Sequence, residues 1–546
     1  MTQPTKAASG IVLLTLASGQ FLMTLDSSVM NVSIAQVAED VGTDVTGVQT
    51  AITLYTLVMA TTMITGGKIG TMIGRRRAFA IGCVVYGMGS FTTALAPNLT
   101  VLILGWSVLE GLGAALIMPA IVALVASNFG PDERPRAYGL VASAGAIAVA
   151  VGPLIGGAVT SFWTWRLVFA GEVVIVAGIL VLTKKIHDTA APQVAPRIDV
   201  VGVVLSATGL GLAVYGVLRS GEWGWVLATD GQPSWLGLSP SLWLIVGGLL
   251  VVRAFFAWED RVASSGREPL VDVTLFRNAR LVGGLTMFFF QFLIQAGLFF
   301  TVPLFLSVAL GLSAIDTGIH LLPLSLTLLA AAVGIPKFVP AASPRRVVSV
   351  GLAALLAGMI SLIAALEAGA GGEIVTVPLL LAGLGVGALA SQLGAVTVSA
   401  VPDSQSGEVG GIQNTMTNLG ASLGTALAGS VLIAGLTSAF IDGVQDNPAV
   451  PDSVAAAADT QLASGIPFVS DADLETALDE AGVPHDQADV ILDTNVDARI
   501  AALRLSIAVL AMVAIGALFC TRLLPKHAVG HDKVSVASPT EPAGNA

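Results

Sequence analysis

Three carboxylate side chains interrupt apolar runs in the first third of the sequence, and they are the residues most able to do chemistry. Asp26, Glu110 and Glu172 each lie in a run long enough to cross a bilayer. A charge at that depth costs about 2.5–3.5 kcal/mol on insertion scales, so each should face a cavity or a partner. Burial disfavours a charged carboxylate, so all three are predicted to carry protons or to balance a cationic substrate. The alternative is a protonated carboxyl that holds helices together.

Other polar side chains are candidates to complete such a site. His320 could titrate near neutral pH, or it could be a hydrogen-bonded packing residue. Arg166 is the basic residue that could neutralise Glu172. Amide and aromatic side chains could line a substrate cavity, or join helices by hydrogen bonds and packing. These cavity candidates are Asn31, Tyr55, Trp106, Gln291, Gln295, Gln392, Gln413, Asn414 and Asn418.

The composition requires that membrane helices position these groups. Of the 546 residues, 54% are hydrophobic and only 11% are charged, whereas a soluble domain carries about 25% charged residues. This excludes a soluble or disordered chain. The two cysteines, Cys83 and Cys520, exclude a disulfide scaffold and a cysteine-rich metal site. No G-x-x-x-x-G-K-[ST] sequence is present. We therefore predict no ATP, nucleic-acid partner, metal or cofactor, and no enzyme activity.

We predict an all-α polytopic membrane protein with fourteen spans, because that many apolar runs reach about 20 residues. The first run is not expected to be a cleaved signal, since it is too long and contains Asp26. The predicted spans are 10–34, 47–67, 77–95, 100–128, 136–160, 164–183, 199–219, 239–257, 279–306, 314–335, 345–367, 374–400, 407–436 and 498–522.

Basic residues set the expected orientation. Most of the 25 Lys and Arg residues fall in alternate loops, which the positive-inside rule assigns to the cytoplasm. Both termini are therefore predicted to be cytoplasmic. Four basic residues fall elsewhere: Arg166, Arg219, Arg499 and Arg504.

The segment 438–497 is then expected outside the cell. It contains thirteen acidic residues and neither Lys nor Arg. A solvated external hairpin is the favoured interpretation, and a lid over the external mouth is the alternative. Ser470 and Asp471 are typical of a helix N-cap, and 484–499 is compatible with a second short helix that enters the last span.

Two similar segments indicate an internal repeat. The segment Gly74-Arg-Arg-Arg-Ala-Phe-Ala-Ile-Gly82 aligns without a gap to Ser343-Pro-Arg-Arg-Val-Val-Ser-Val-Gly351. This favours two parallel six-helix halves with two spans inserted between them. The predicted regions are a cytoplasmic N-terminus at 1–9, an N-terminal half at 10–183, the inserted spans at 199–257, a C-terminal half at 279–436 and 498–522, the acidic loop at 438–497 and a disordered cytoplasmic tail at 526–546.

Several motifs carry a family resemblance. The loop signature is Gly67-Lys-Ile-Gly-Thr-Met-Ile-Gly74 followed by arginines, and the first-span motif is Leu25-Asp-Ser-Ser-Val-Met-Asn-Val32. Gly145 with Gly152-Pro-Leu-Ile-Gly-Gly157 resembles a fifth-span motif of exporters. Glu268-Pro-Leu270 precedes Leu275-Phe-Arg-Asn278. Together these resemble the fourteen-span drug:proton antiporter family (EmrB/QacA-like) of the major facilitator superfamily.

The sequence departs from that family at charged positions. Thr71 stands where the loop signature usually has Asp, and Trp106 stands where the fourth span usually has Arg. Glu110 replaces a Gln, and Glu172 replaces a frequent Asn. The missing Asp and Arg are implicated in conformational locking and proton coupling, so the resemblance leaves standard coupling open.

The resemblance implies a secondary active exporter of amphipathic, cationic or lipid-like small molecules, driven by proton antiport. One alternative is an uncoupled or differently coupled lipid or metabolite translocator, and another is a non-transporting sensor or membrane partner. The expected partners are the lipid bilayer, a small-molecule substrate and protons, with a monomer in the cell membrane. The residues assigned to conformational change are Gly67, Gly74, Arg75, Arg76, Gly145, Gly152, Pro153, Gly156 and Gly157.

Overall fold

The computed structural model describes residues 6–129, 134–186, 199–229, 231–267, 269–339, 342–367, 369–401, 406–445, 468, 471–480 and 485–527. Within these ranges the regular elements are helices, apart from one isolated bridge between Trp235 and Leu238. The predicted all-α class is confirmed. The predicted tail beyond 527, the first five residues, Glu268 and much of the 438–497 loop lie outside the described residues.

The N-terminal half begins with a helix over the first predicted span and ends before the inserted pair. A π-helical segment, Ile103–Glu110, joins two of its helices into one continuous rod. Gly74, with φ of 95°, allows the tight turn inside the loop signature. The helices are α1 Lys6–Val32, α2 Ile34–Val41, α3 Val45–Ile73, α4 Arg75–Ala94, α5 Leu99–Leu102, α6 Gly111–Asn128, α7 Arg134–Phe162 and α8 Arg166–Thr183.

The inserted pair consists of α9 Val200–Trp223 and α10 Pro240–Ser264, which pack against each other. Polar caps begin both helices, because the Asp199 side chain accepts from Gly202 N and the Ser239 hydroxyl accepts from Ser241 N. Helix α9 also contacts α3 and a helix of the C-terminal half, α15 Ser406–Gln445. The inserted pair therefore lies beside both halves.

The C-terminal half repeats the long-helix arrangement. Two of its long helices differ from the predicted spans: α15 continues past residue 436, and the final helix begins before residue 498. Apolar runs mark only the part of a helix that lies in lipid, and the polar ends continue as helix. The remaining helices are α11 Ala279–Leu304, α12 Ala314–Phe338, α13 Pro344–Ala365, α14 Thr376–Val398, α16 Asp471–Glu480 and α17 His485–Cys520.

Twelve helices in the described residues are long and apolar enough to cross a membrane, and the bent α7 is a thirteenth. Helix α4, with 20 residues, packs against α6 and α8 in the position of the predicted third span. The count of fourteen and the cytoplasmic position of the termini stay predictions. We call the two ends of the bundle the Arg75 end and the Asp40 end.

Two helix crossings form most of the contact between the halves: α3 against α15 and α7 against α12. Helix α7 bends by 44° between Ser143–Val149 and Val151–Phe162. Pro153 has no N–H to donate to the Val149 carbonyl four residues earlier. The Ser325 hydroxyl of α12 donates to that carbonyl at 3.2 Å. The proline therefore frees a backbone acceptor that the opposite half uses.

The connector between α10 and α11 attaches to both halves at the Arg75 end. Lys68 of α3 donates to the Pro269 carbonyl at 2.7 Å, and Asn278 donates to the Ala400 carbonyl at 2.7 Å. The buried Glu259 carboxylate of α10 accepts from the backbone N–H groups of Leu270 and Val271. The described part of the motif, 269–278, thus links the inserted pair to the rest of the bundle.

Candidate functional site

The three intramembrane carboxylates form one cluster inside the N-terminal half. Asp26 of α1, Glu110 at the end of the π-helical segment and Glu172 of α8 are all buried. One oxygen from each carboxylate lies within 4.8 Å of an oxygen from each of the others. Residues 146 positions apart in the sequence therefore share one site, which we call the carboxylate cluster.

Close backbone contact between α4 and the π-helical segment builds one wall of the cluster. A Cβ on Gly89 would lie 2.7 Å from the Glu110 backbone nitrogen, and one on Gly105 would lie 2.8 Å from the Thr93 nitrogen. Only glycine permits this approach. The π-helical turn also carries both Trp106 and Glu110, and such turns are frequent at functional sites. These features aim the two side chains into the cluster.

Asp26 is held by a tryptophan. The Trp106 indole Nε1 donates to both carboxylate oxygens of Asp26, at 2.9 Å each. The Tyr55 ring stacks on the Trp106 ring with a centroid distance of 5.0 Å and an interplanar angle of 11°. The phenols of Tyr55 and Tyr86 are buried beside Asp26. Trp106 therefore supplies a neutral donor where the family usually has an arginine.

The two glutamates have one hydroxyl donor each. Thr93 donates to Glu110 Oε1 at 3.2 Å, and Ser90 donates to Glu172 Oε2 at 3.0 Å. The other oxygen of each glutamate is buried without a hydrogen-bond partner among the described residues. Three adjacent carboxylates in a low-dielectric interior cannot all remain ionised by themselves. Either some of them take up protons, or a cation balances their charge. Oxygen ligands at this spacing are compatible with a proton network and with a hard cation.

A cavity of about 460 Å³ lies between the two halves. Its volume is in the range of small-molecule sites. Helices α1, α3, α6 and α7 and the π-helical segment form one side, and helices α11, α12, α14 and α15 form the other. Amide, hydroxyl and apolar side chains line it. Its polar lining includes Gln20, Thr24, Ser27, Ser28, Asn31, Gln291, Gln295, Gln413, Asn414 and Asn418.

The cavity and the carboxylate cluster meet at one pair of aromatic rings. Tyr55 and Trp106 line the cavity, whereas Asp26, Glu110 and Glu172 do not. The stacked rings therefore form a wall with the cavity on one side and Asp26 on the other. A change at Asp26 can reach the cavity through the Trp106 indole.

The structure brings most of the predicted cavity residues together. Asn31, Tyr55, Trp106, Gln291, Gln295, Gln413, Asn414 and Asn418 lie on the cavity wall. Gln392 does not, and its amide donates to the adjacent Ser391 hydroxyl.

Two predicted ionisable partners lie elsewhere. His320 is at the Asp40 end, where its Nδ1 is 2.8 Å from the Asp316 carbonyl oxygen of its own helix. The prediction that Arg166 neutralises Glu172 is wrong. Arg166 instead pairs with Asp40 at 2.8 Å and donates to the Ala96 carbonyl, because it begins α8 and points towards the loops.

The fifth-span motif lies at the contact of α7 with α1 and α12. Gly145 lies against Gln20, Gly152 against Ser28, and Gly156 against Val29, all on α1. A Cβ on Gly157 would overlap the Ala314 carbonyl of α12. The residues lying on these faces of α7 are Gly145, Gly152, Pro153, Gly156 and Gly157.

Arginine side chains of the loop signature donate to backbone carbonyls of neighbouring segments at the Arg75 end. Arg75 donates to the Ala123 carbonyl and Arg76 to the Ile186 carbonyl, both at 3.3 Å. Gly67 lies against Pro119. Thr71, at the position of the usual Asp, donates to the Lys68 carbonyl of its own helix.

Contacts between the halves close the Asp40 end. Ile315 N donates to the Ser161 hydroxyl at 2.9 Å, and Gln49 donates to the Thr425 carbonyl at 3.1 Å. Sequence reasoning missed Gln49, although a buried glutamine in an apolar run was a usable signal. It also missed Ser90, Thr93 and Tyr86 at the cluster, and nothing in the composition of α4 marks its cluster-facing side.

Comparisons with known proteins agree with this architecture. Residues 16–425 match the sequence model of the Major Facilitator Superfamily. The tetracenomycin C resistance and export protein of Streptomyces glaucescens is 29% identical over 79% of this chain and 77% of its own. The puromycin resistance protein pur8 of Streptomyces alboniger is 30% identical over 80% and 84%. The multidrug efflux pump LfrA of Mycolicibacterium smegmatis is 27% identical over 84% and 87%.

Solved structures support the fold alone. A bacterial homologue of the human lysosomal transporter Spinster, in an inward-facing unoccupied conformation, superposes with a TM-score of 0.58 at 14% identity. The match covers 95% of this chain and 98% of that one. The human organic anion transporter MFSD10 gives a TM-score of 0.54 at 12% identity, over 95% and 100% of the two chains.

Proposed function

The chain belongs to the Major Facilitator Superfamily, and on that premise we propose that it exports small organic compounds by proton-coupled alternating access. It is a multi-pass cell-membrane transport protein and not an enzyme. The proposed substrate occupies the cavity between the halves, and protons exchange at the carboxylate cluster. The relatives named for resistance, export or efflux support the export direction.

One observation carries the coupling proposal. The same indole of Trp106 donates to Asp26 and forms part of the cavity wall. Hydrogen bonds to a charged group stabilise by about 1.5–3 kcal/mol, and neutral ones by about 0.5–1.5 kcal/mol. When Asp26 takes a proton, its hold on the indole weakens, and the stacked Tyr55–Trp106 wall is free to shift. Substrate in the cavity acts on the proton site by the same contact.

The cluster supplies a proton store as well as a carrier. Glu110 and Glu172 each keep one buried oxygen without a partner among the described residues, and a protonated neighbouring carboxyl can donate to it. The two halves then rock about the α3–α15 and α7–α12 crossings. One charge that crosses the membrane potential provides about 2.3 kcal/mol per 100 mV, which is enough to bias one direction.

Reconstituted transport tests the proposal. The purified full-length protein is placed in vesicles loaded with a fluorescent aromatic dye, and efflux is measured with and without an imposed pH gradient. We expect the gradient to accelerate efflux, and the Asp26→Asn variant to lose that acceleration while still inserting. The exposed Asp260→Asn variant is the matched control. Gradient-driven efflux at the wild-type rate in Asp26→Asn contradicts the proton role.

The second candidate is an uncoupled translocator of lipids or metabolites. It is favoured by Thr71, which contacts no helix except its own in the described hydrogen bonds, so one usual lock between helices is missing. Wild-type transport that is saturable but indifferent to the pH gradient supports this candidate. Absence of transport for a range of aromatic, cationic and lipid probes supports a non-transporting role.

A further inference from the structure

The wall of the cavity narrows the substrate class, an inference that rests on the proposed export function. We infer that the substrate is uncharged when bound: an aromatic molecule carrying hydroxyl or N–H donors, and not an organic cation. This narrows the class expected from the sequence, which included cationic compounds.

Charged side chains are absent from the described part of the cavity wall. The cavity is lined by Gln, Asn, Ser, Thr and apolar residues, and none of the described lining residues is Asp, Glu, Lys, Arg or His. A buried cation without a counter-charge carries a large desolvation cost. The three carboxylates that would offset that cost lie behind Tyr55 and Trp106 and bond to hydroxyl and indole donors. The cluster is therefore placed to exchange protons and not to contact the substrate.

Two side-chain carbonyl oxygens on α11 have no hydrogen-bond donor among the described residues. Gln291 and Gln295 are one turn apart on α11, and the carbonyl oxygen of each side chain is buried without a hydrogen-bond partner among the described residues. Other cavity amides are engaged: Asn31 donates to the Ser27 carbonyl, and Gln413 accepts from Thr397. A buried unpaired carbonyl is costly. Both side chains line the cavity, and rotation of either amide about its last torsion would present its oxygen to a substrate hydroxyl or N–H that satisfies it.

Aromatic rings from both halves line the cavity. Phe288, Phe292 and Phe299 lie on the same face of α11 as the two glutamines, at helical spacing. Tyr55 and Trp106 present their stacked rings to the cavity from the other half. Aromatic faces on both sides, with two acceptors between the rings of α11, fit a flat ring system with donor groups on its edge.

Paired probes test the charge preference. One probe is a neutral dihydroxyanthraquinone, and the other is the same ring system bearing a quaternary ammonium group. Binding to the purified full-length protein is measured by fluorescence without any gradient, and efflux is measured in vesicles with a pH gradient. We expect the neutral probe to bind and to move at least about tenfold better. Equal or better binding of the cation overturns the inference, and so does the absence of binding by both probes.

The two measurements separate this inference from the proposed function. Selective binding of the neutral probe without gradient-driven efflux supports the substrate class and contradicts proton-coupled export. Gradient-driven efflux of the cation supports export and overturns the substrate class.

Substitutions at one glutamine locate the site. Gln295→Leu removes an acceptor and is expected to weaken binding of the neutral probe about tenfold, while Gln295→Glu is expected to shift preference towards the cationic probe. The matched control is Gln392→Leu, because Gln392 is on α14 outside the cavity. Unchanged selectivity in Gln295→Glu, in a variant that still binds the neutral probe as wild type does, overturns the placement of the substrate beside α11.

Discussion

The carboxylate cluster and the central cavity are both buried in the bundle, but they differ in content. The acidic groups lie in the cluster, and the side chains proposed to contact the substrate lie in the cavity. The cluster is made by the N-terminal half alone and contains three carboxylates. The cavity is made by both halves, and its described lining contains no Asp, Glu, Lys, Arg or His. A proton site inside one half can remain intact while the halves move, whereas a site between the halves must change. In the proposed mechanism, coupling therefore depends on the Tyr55–Trp106 pair, which lies between the two regions.

Replacing Trp106 should give the largest effect on the connection between the two regions. Trp106→Phe keeps a ring for Tyr55 but removes the Nε1 donor that bonds both oxygens of Asp26. Loss of hydrogen bonds to a charged group is worth about 1.5–3 kcal/mol, or roughly 10- to 100-fold. We expect gradient-driven efflux to fall by that factor, and binding of the neutral probe to change by less than about threefold. Trp163→Phe, at an exposed tryptophan, is the control. Equal losses in binding and efflux would show that the two regions are not separate.

The two glutamates should show whether the cluster acts as one unit. Glu110→Gln and Glu172→Gln each keep an acceptor oxygen for Thr93 or Ser90 and remove one carboxylate. We expect each variant to move fewer protons per substrate molecule, with efflux about tenfold slower, a loss that corresponds to about 1.4 kcal/mol. The measurement is simultaneous recording of internal pH and probe efflux. An unchanged proton-to-substrate ratio in both variants would limit proton exchange to Asp26.

The sequence predicted the fold class and drew attention to the three carboxylates in apolar runs, but it did not predict which side chains contact one another. Charges in apolar runs are visible without a structure, so Asp26, Glu110 and Glu172 could be found. It is harder to predict which face of an intramembrane helix packs against protein. Lipid and protein interior are both apolar, so the hydrophobic periodicity of such a helix is weak. Gln392 was therefore assigned to the cavity with the other amides although it lies outside it.

The error at Arg166 has a geometric cause. Arg166 and Glu172 are six residues apart, which is about 9 Å along a helix axis. Asp40, which is far away in sequence, meets Arg166 through the fold. The π-helical turn at Ile103–Glu110 also has no sequence signature that we can identify, yet it aims both Trp106 and Glu110. Such long-range placement comes from packing and not from local pattern.

The contact between α7 and α12 should matter for the cavity and not for the cluster. A side chain larger than glycine at Gly157 would overlap the Ala314 carbonyl and separate the halves at the Asp40 end. We expect Gly157→Leu to slow efflux several-fold and to reduce disulfide cross-linking between cysteines introduced by Ser161→Cys and Ile315→Cys. The control is Gly171→Leu on α8, where a Cβ meets nothing within 4 Å. Undiminished cross-linking in Gly157→Leu would contradict this role.

The smallest effect is expected at the Arg166–Asp40 pair, which lies outside both regions. Each side chain keeps 28% of its surface exposed, and ion pairs of this kind contribute about 0.2–1 kcal/mol because water screens them. Arg166 also donates to the Ala96 carbonyl at 2.9 Å and lies over the Trp165 ring, which keeps the end of α8 in place. Arg166→Lys preserves the charge but not this two-sided geometry. We therefore expect Arg166→Lys to lower the thermal midpoint by a few degrees at most and to leave the proton-to-substrate ratio unchanged. A changed ratio would mean that the carboxylate cluster is coupled to this pair, although no described hydrogen bond connects them.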